Sequence, residues 1–296
     1  MEKFVIIEVG STNTRGYFYE NDKINDLGRK TIEFKNHYKR EQKLNKNDKK
    51  ILFDFINSLD EDNIFVYGTS IFRNLTDEQK REWLVEFKEK TGIEFNIVTS
   101  DMENEYTVYG AIANTNYKGK VAVMIGGGGS TELAILEDGK IIEKANSNFG
   151  AMDVTDNFPD LKTDFTTTDF EVMVSETKKL INMPRHKADI LILAGGDYIY
   201  FYEELKYSIK KNEFCENDLQ PYIIDKELMD ELDQDFFYNV SLEKICKQTS
   251  DDGWWRGARG MRICVKALVD ILGAKYIVPT RINMVYGIVE ELKKKK

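Results

Sequence analysis

Apolar and polar positions come in short blocks whose period changes along the chain. An apolar run from Phe4 to Ile7 predicts a buried strand. A turn through Gly10–Asn13 follows, then a second strand, a polar turn, and a third strand beginning Lys23-Ile24. The pattern returns 117 residues later: Val123-Met-Ile, a turn of four glycines with Ser130 and Thr131, a second strand, and a third beginning Lys140-Ile141. Gly10 falls on Gly127, Asn13 on Ser130, Thr14 on Thr131 and Lys23 on Lys140. A repeat of this length predicts two copies of one domain. The expected limits are 1–115 and 116–296, with the last helix packing back on the first domain.

Between these hairpins the spacing becomes helical. Thr76 with Gln79 forms a capping box ahead of Trp83, Leu84 and Phe87, and Gly92 ends that helix. Thr168 with Glu171 is expected to open another, with Phe170, Met173, Val174, Thr177, Leu180 and Ile181 on one face. An apolar run from Ile190 leads into Gly195-Gly196-Asp197, a strand ending where backbone can approach a ligand. A long helix is expected from about Arg256 to Leu272, ending at Gly273. Met261, Cys264, Leu268 and Ile271 form its buried stripe, and Arg259, Arg262 and Lys266 a basic one. A strand at Tyr276–Val278 and a helix from about Asn283 complete an alternation that indicates an α/β fold.

Composition narrows the function. The 296 residues are 42% hydrophobic and 31% charged, with 4 Pro and 20 Gly, the balance of a globular chain without long linkers. A net charge of −9 excludes a global attraction to nucleic acid. Three Cys, without a Cys-x-x-Cys pair, suit a reducing, cytoplasmic compartment. Two His, His37 and His186, far apart in the chain, do not suggest a zinc site. No leader is expected, because the first apolar run breaks at Glu8, and no apolar stretch is long enough to predict a membrane span. The basic stretch Lys35–Lys50 reads as a solvated helix face.

The two turns carry the candidate chemistry. Glycine lets successive N–H groups converge on one anion, and Ser/Thr hydroxyls add donors. Gly10, Ser11, Thr12 and Asn13, and Gly127, Gly128, Gly129, Ser130 and Thr131, are therefore candidate phosphate ligands. The first members of the Arg256–Arg259–Arg262 stripe stand at a helix N-terminus and, with Arg15, are candidate polyanion contacts.

The order of motifs resembles the exopolyphosphatase / guanosine pentaphosphate phosphohydrolase family of the actin-like, sugar-kinase-like superfamily. Glu8-Val-Gly10-Ser11-Thr12-Asn13-Thr14-Arg15 resembles its D-I-G-S-N-S-x-R, Gly68-Thr69-Ser70-Ile71-Phe72-Arg73 its A-T-S-A-x-R, and Val98-Thr99-Ser100-Asp101-Met102-Glu103-Asn104 its I-S-G-x-E-E-A. Ile125-Gly126-Gly127-Gly128-Gly129-Ser130-Thr131-Glu132 resembles D-I-G-G-G-S-T-E, Gly150–Thr155 G-A-V-R-L-T, and Gly195-Gly196 G-G-T. The resemblance implies two actin-like (ribonuclease H-like) domains with the site in the cleft between them. It implies a Mg²⁺-dependent hydrolase releasing terminal phosphate from polyphosphate or guanosine pentaphosphate. Glu103 would activate the water, Arg73 would fork a phosphate, and Glu8 and Glu132 would hold Mg²⁺. The implied partners are polyphosphate or a guanosine nucleotide, with no membrane or nucleic acid, and a homodimer as a candidate assembly.

Several positions depart from the family pattern. Ile125 stands where the second phosphate motif has Asp, Met102 beside the catalytic Glu, Asp153 where G-A-V-R has Arg, and Val285 where a late G-I-R-Y-G has Arg. Trp254-Trp255 replaces part of an R-A-D motif. The alternative to a working hydrolase is a catalytically weak polyphosphate- or nucleotide-binding regulatory relative. Ser100-x-x-Glu103 is also a capping box, which would make Glu103 a helix cap.

Overall fold

A computed structural model describes residues 3–11, 13–113, 115–196, 198–215, 218–246 and 252–294, with Ser70 and residues 252–256 described by backbone alone. The chain divides into two compact units, Met1–Tyr106 with Glu291–Lys296, and Thr107–Glu290.

The first unit contains β1 (Lys3–Val9), β2 (Asn13–Glu20), β3 (Lys23–Thr31), α1 (Phe34–Glu41), α2 (Lys46–Asn57), β4 (Ile64–Gly68), α3 (Asp77–Thr91), β5 (Phe95–Ile97) and the start of α4 (Ser100–Ile112). Its sheet runs β3-β2-β1-β4-β5. The β1–β2 and β2–β3 pairs are antiparallel, whereas β4 and β5 add in parallel. This is the arrangement expected of an actin-like, ribonuclease H-like domain. Central β1 is apolar on both faces because both are covered. Val5, Ile7 and Val9 enter a core with Leu52, Ile56, Phe72, Trp83 and Phe87, while Phe4 stacks on Tyr19 on the opposite face. Edge strand β3 is polar and exposed along most of its length. The expected capping box at Thr76 and Gln79 forms, and Gly92 closes α3 in the left-handed region at φ +73°. The Lys35–Lys50 stretch is divided between α1 and α2.

The second unit contains β6 (Lys120–Gly126), β7 (Thr131–Glu137), β8 (Lys140–Lys144), α5 (Ala151–Asn157), α6 (Phe170–Lys178), β9 (Ile190–Ala194), α7 (Ile199–Glu204), β10 (Lys210–Lys211), β11 (Tyr222–Asp225), α8 (Lys226–Tyr238), α9 (Leu242–Cys246), α10 (Asp252–Leu272), β12 (Tyr276–Pro279) and most of α11 (Met284–Lys294). Its sheet, β10-β11-β12-β9-β6-β7-β8, repeats the first topology from β8 to β12 and adds two antiparallel strands. Strands β1 and β6 occupy matching positions of the repeat and lie in separate sheets. Alternate residues of β6 face separate cores: Ala122 and Met124 pack in one that includes α6, α8 and α10, and Val121 and Val123 in another with Ile190, Ile192 and Val278.

Two helix starts differ from expectation. Asp169, not Thr168, caps α6, its carboxylate accepting from the N–H groups of Glu171 and Val172. A carboxylate one residue later competes better for those donors than the threonine hydroxyl does. Helix α10 begins at Asp252, earlier than the expected Arg256. No helix among the described residues is long and apolar enough to cross a membrane.

Candidate functional site

The duplicated hairpins carry the same turn. Gly10 N–H donates to the Asn13 carbonyl at 2.9 Å, and Gly127 N–H donates to the Ser130 carbonyl at 2.9 Å. The first glycine of each turn therefore closes it. Thr12, expected to bind phosphate in the first turn, lies outside the described residues, as does Asp197.

In the first unit, Lys35 N–H donates to the Ser11 carbonyl and Thr69 N–H to the Val9 carbonyl, tying the turn to α1 and to the end of β4. Glu8, next to last in β1, lies opposite Arg15 on β2 and beside Tyr67 on β4. Burial pushes its carboxyl up to about 7, with the Glu103 charge adding to the rise and Arg15 opposing it. Arg73 follows β4 in a short 3₁₀ turn. Its Nη1 donates to Glu103 Oε2 at 2.5 Å and to the Val98 carbonyl at 3.3 Å. Glu8, Arg15, Arg73 and Glu103 are thus brought together around the Gly10–Asn13 turn.

The capping reading of Glu103 does not hold. Thr99 occupies the cap position: its Oγ1 accepts from Met102 N–H at 3.2 Å and its carbonyl from Glu103 N–H at 2.9 Å. With the cap supplied one residue earlier than Ser100, the Glu103 carboxylate turns to Arg73. Arg73, expected at a phosphate, accordingly has one nitrogen engaged by Glu103.

In the second unit the turn is braced from behind. Ala151 and Met152 N–H donate to the carbonyls of Gly127 and Gly128, at 3.0 and 2.7 Å, so the turn caps α5. A Cβ on Gly150 would collide with Gly127 O and lie 2.7 Å from Ser130 N, which requires glycine there. Asp153, in the family's Arg position, accepts from Gly150 N–H at 2.9 Å and caps its own helix. Among the described residues no backbone partner engages the N–H groups of Gly128, Gly129 and Ser130, and both glycines are exposed. Thr131 is a correction: it is buried, its hydroxyl donates to the Phe149 carbonyl at 2.9 Å and its N–H to the Ser147 carbonyl, so neither donor is left for a phosphate.

Ile125, next to last in β6, lies opposite Glu132, the positions held in the first unit by Glu8 and Arg15. It packs against Gly195, whose φ is +84° and where a Cβ would lie 2.6 Å from Ile125 Cγ2. Beside this turn lies a largely apolar chamber of about 350 Å³. Gly126–Gly128, Gly195, Gly196, Met152, Tyr198, Phe201, Tyr202 and Met261 line it, and Arg262 stands in its wall.

Arg259, Arg262 and Lys266 of α10 do not form a polyanion surface. Arg259 is 1% exposed and donates to the carbonyls of Leu161, Thr163, Asp164 and Val240. Arg262 donates to Asp233 Oδ1 at 2.6 Å and to the Tyr202 hydroxyl at 2.7 Å. Lys266 pairs with Asp230 and Asp270. Because α10 packs on α5, α6, α8 and α9, cations on those faces must be buried and satisfied by protein oxygens. The side chains of Arg256, Trp254 and Trp255 lie outside the described residues.

The donor set for Mg²⁺ is small. No group of three or more His, Cys, Asp or Glu among the described residues is arranged to hold a metal. In the first unit, Glu8 and Glu103 are close enough for one carboxylate's charge to raise the other's pKa, the situation a divalent cation relieves. Two carboxylates completed by water and substrate phosphate suit Mg²⁺, a hard ion that keeps much of its water shell. The residues therefore fit the ion.

The model of the Ppx/GppA phosphatase family matches residues 39–197. No curated protein sequence matches the chain. The crystal structure of the type II variant of the Aquifex aeolicus Ppx/GppA phosphatase superposes with a TM-score of 0.79 at 16% identity, covering 98% of this chain and 99% of that one. An exopolyphosphatase from Cytophaga hutchinsonii superposes with a TM-score of 0.71 at 14% identity, covering 99% and 98%. At these identities the likeness is one of fold.

Proposed function

The chain belongs to the Ppx/GppA phosphatase family, and from that premise we propose that it hydrolyses terminal phosphoanhydride bonds of inorganic polyphosphate. The observation that carries this reading is the Glu8–Glu103–Arg73 group beside the Gly10–Asn13 turn. Releasing a terminal phosphoryl group requires that it be held, its charge neutralised and a water aimed in line. The Gly10–Asn13 and Gly128–Ser130 turns bind phosphate through backbone donors, with the Ser130 hydroxyl as a further donor. Glu103, fixed by Arg73, accepts a proton from the attacking water. Arg73 limits the wandering of that carboxylate, so less ordering is left for the reaction itself. Glu8, raised to about 7 by burial, is partly protonated near neutral pH, and a bound cation would favour its ionised form. Mg²⁺, for which Glu8 is the proposed ligand in the first unit, would supply positive charge to the phosphate oxygens.

A second substrate, guanosine pentaphosphate, is favoured by the apolar chamber, since inorganic polyphosphate has nothing apolar to place there. Measured phosphate release from both substrates, with and without Mg²⁺, tests the reading. Mg²⁺-dependent release from either supports hydrolysis, and its ratio between the two assigns the substrate. Tight binding without turnover of either leaves the regulatory relative.

A further inference from the structure

The β2–β3 hairpin of the first unit carries a bulge that its turn does not explain. Asn21 and Asp22 join the strands, both in the left-handed region at φ +54° and +60°, the conformation of a two-residue hairpin turn. That turn sets Glu20 opposite Lys23, and the same register runs on to Tyr17 opposite Asp26. Carried further, it would set Arg15 opposite Gly28 and Arg29 opposite Thr14. Instead the register shifts by one between Tyr17 and Gly16, so that Gly16 faces Gly28, Arg15 faces Arg29 and Asn13 faces Thr31. Leu27 is the extra residue. Gly28 takes the left-handed conformation at φ +99°, and its N–H donates to Asp26 Oδ1 at 2.6 Å, which holds the bulge closed. Side chains alternate along a strand, so this slip moves Arg29 from the face of buried Thr14 to the face of Arg15.

The result is two exposed arginines directly across from one another. Like charges in that position destabilise a sheet, and an anion between them reverses the sign. Among the described residues no carboxylate forms an ion pair with Arg29. Two carboxylates share the face: Glu8, buried opposite Arg15, and Asp26, whose Oδ1 is engaged by the bulge. The arginine row lies on the face of Asn13 and two residues from it, about 7 Å along the strand from the Gly10–Asn13 turn. Each guanidinium is a planar fork that takes two phosphate oxygens, and two forks side by side fit neighbouring units of one anionic chain.

We propose that Arg15 and Arg29, brought together by the bulge at Leu27–Gly28, form a subsite for internal phosphates of a polyphosphate chain whose terminal unit lies at the Gly10–Asn13 turn. The inference deepens the polyphosphate reading and rests on it. Its test compares equilibrium binding of long-chain polyphosphate and of inorganic phosphate, without Mg²⁺, in wild type, Arg29→Ala and Lys30→Ala, with Mg²⁺-dependent release from the long chain measured alongside. In Arg29→Ala the Kd for the long chain should rise about five- to tenfold, the scale of one charge-assisted contact on an exposed face. Its KM should rise in step, with kcat unchanged within about twofold, and the slope of log Kd against log salt should fall by about one. Inorganic phosphate reaches only the turn, and its Kd should stay within about twofold. Lys30→Ala removes the same charge from the face of Thr14 and should leave the long-chain Kd within about twofold. Deleting Leu27 restores the register set by the turn and should reproduce the Arg29→Ala loss; if that variant fails to fold, the Arg29 and Lys30 comparison decides alone. Wild-type affinity and salt slope in Arg29→Ala, or an equal loss in Lys30→Ala, would overturn the subsite. Binding that depends on Arg29 in a wild type that releases no phosphate keeps the subsite and removes hydrolysis. Release in wild type with Arg29→Ala unimpaired keeps hydrolysis and removes the subsite, and a wild type without affinity for the long chain removes both.

Discussion

The two Gly turns share a backbone and differ in chemistry. Each closes with the same 2.9 Å bond from its first glycine to the carbonyl three residues on. Around the first stand Glu8, Arg15, Arg73 and Glu103: the charges of Arg15 and Glu103 act on Glu8, and Arg73 pairs with Glu103. Around the second, the position of Glu8 is taken by Ile125, and glycines border an apolar chamber. Duplication preserved the shape of the turn, which depends on glycine and strand geometry. The side chains at the strand ends were free to diverge, because the turn does not need them. Under the proposed function this difference divides the labour: proton transfer would fall to the side chains around the first turn, while the second would only hold phosphate.

The largest expected effect breaks the second turn. Gly150→Ala puts a Cβ against the backbone of Gly127 and Ser130, atoms that cannot swing aside. A loss of about 3–4 kcal/mol is expected, read by urea denaturation, together with weaker phosphate binding. A nearly unchanged midpoint would show that the turn is not braced by α5 as described.

The next concerns Glu8. Its folded-state pKa, about 7, lies above the ordinary 4.5, so the folded protein binds this proton more tightly than the unfolded chain does. The associated stability is fully present below about pH 4.5 and is lost as pH rises through about 7. Up to about 3 kcal/mol is involved. Glu8→Gln should flatten that part of the pH–stability curve, measured by denaturation without Mg²⁺ or phosphate. A curve that keeps its fall between pH 5 and 8 would assign the proton elsewhere.

Arg73→Ala frees Glu103 from its partner. Phosphate release should drop about 10- to 100-fold, the cost of losing a charge-assisted contact at the site. An unchanged rate would mean that Arg73 is a structural ion pair only.

The smallest effect sharpens the contrast at the paired positions. Ile125→Asp places a negative charge beside the second turn, and KM for polyphosphate should rise severalfold through repulsion of phosphate, on the order of 1 kcal/mol. A fall in KM with new Mg²⁺ dependence would show instead that the second turn is a disabled copy of a metal site.

Much of this was legible in the chain, and the failures share a cause. The hairpin repeat, the α3 capping box and the Gly92 and Gly273 stops depend on local rules, and they appear as expected. Arg259, Arg262 and Lys266 misled because a cation reads as solvated unless its partners are known. Their partners include Asp233 and Asp230 on α8 and Val240 in the loop after it, far from α10 in the chain. Thr131 misled in the same way, its hydroxyl reaching Phe149 across the strand end. The Arg73–Glu103 contact joins residues 30 positions apart, and the motif order placed both residues in the site without showing that they touch.

The most direct test of the division between the turns measures binding and turnover separately in one pair of variants, Glu103→Gln and Ser130→Ala. Single-turnover phosphate release from saturating polyphosphate and equilibrium binding of the same chain give the two numbers for each. The account predicts that Glu103→Gln loses about two to four orders of magnitude in release while its affinity stays near that of wild type. It predicts that Ser130→Ala loses affinity while releasing phosphate from bound chain at close to the wild-type rate. Unimpaired release in Glu103→Gln, or the two effects exchanged between the variants, would contradict it.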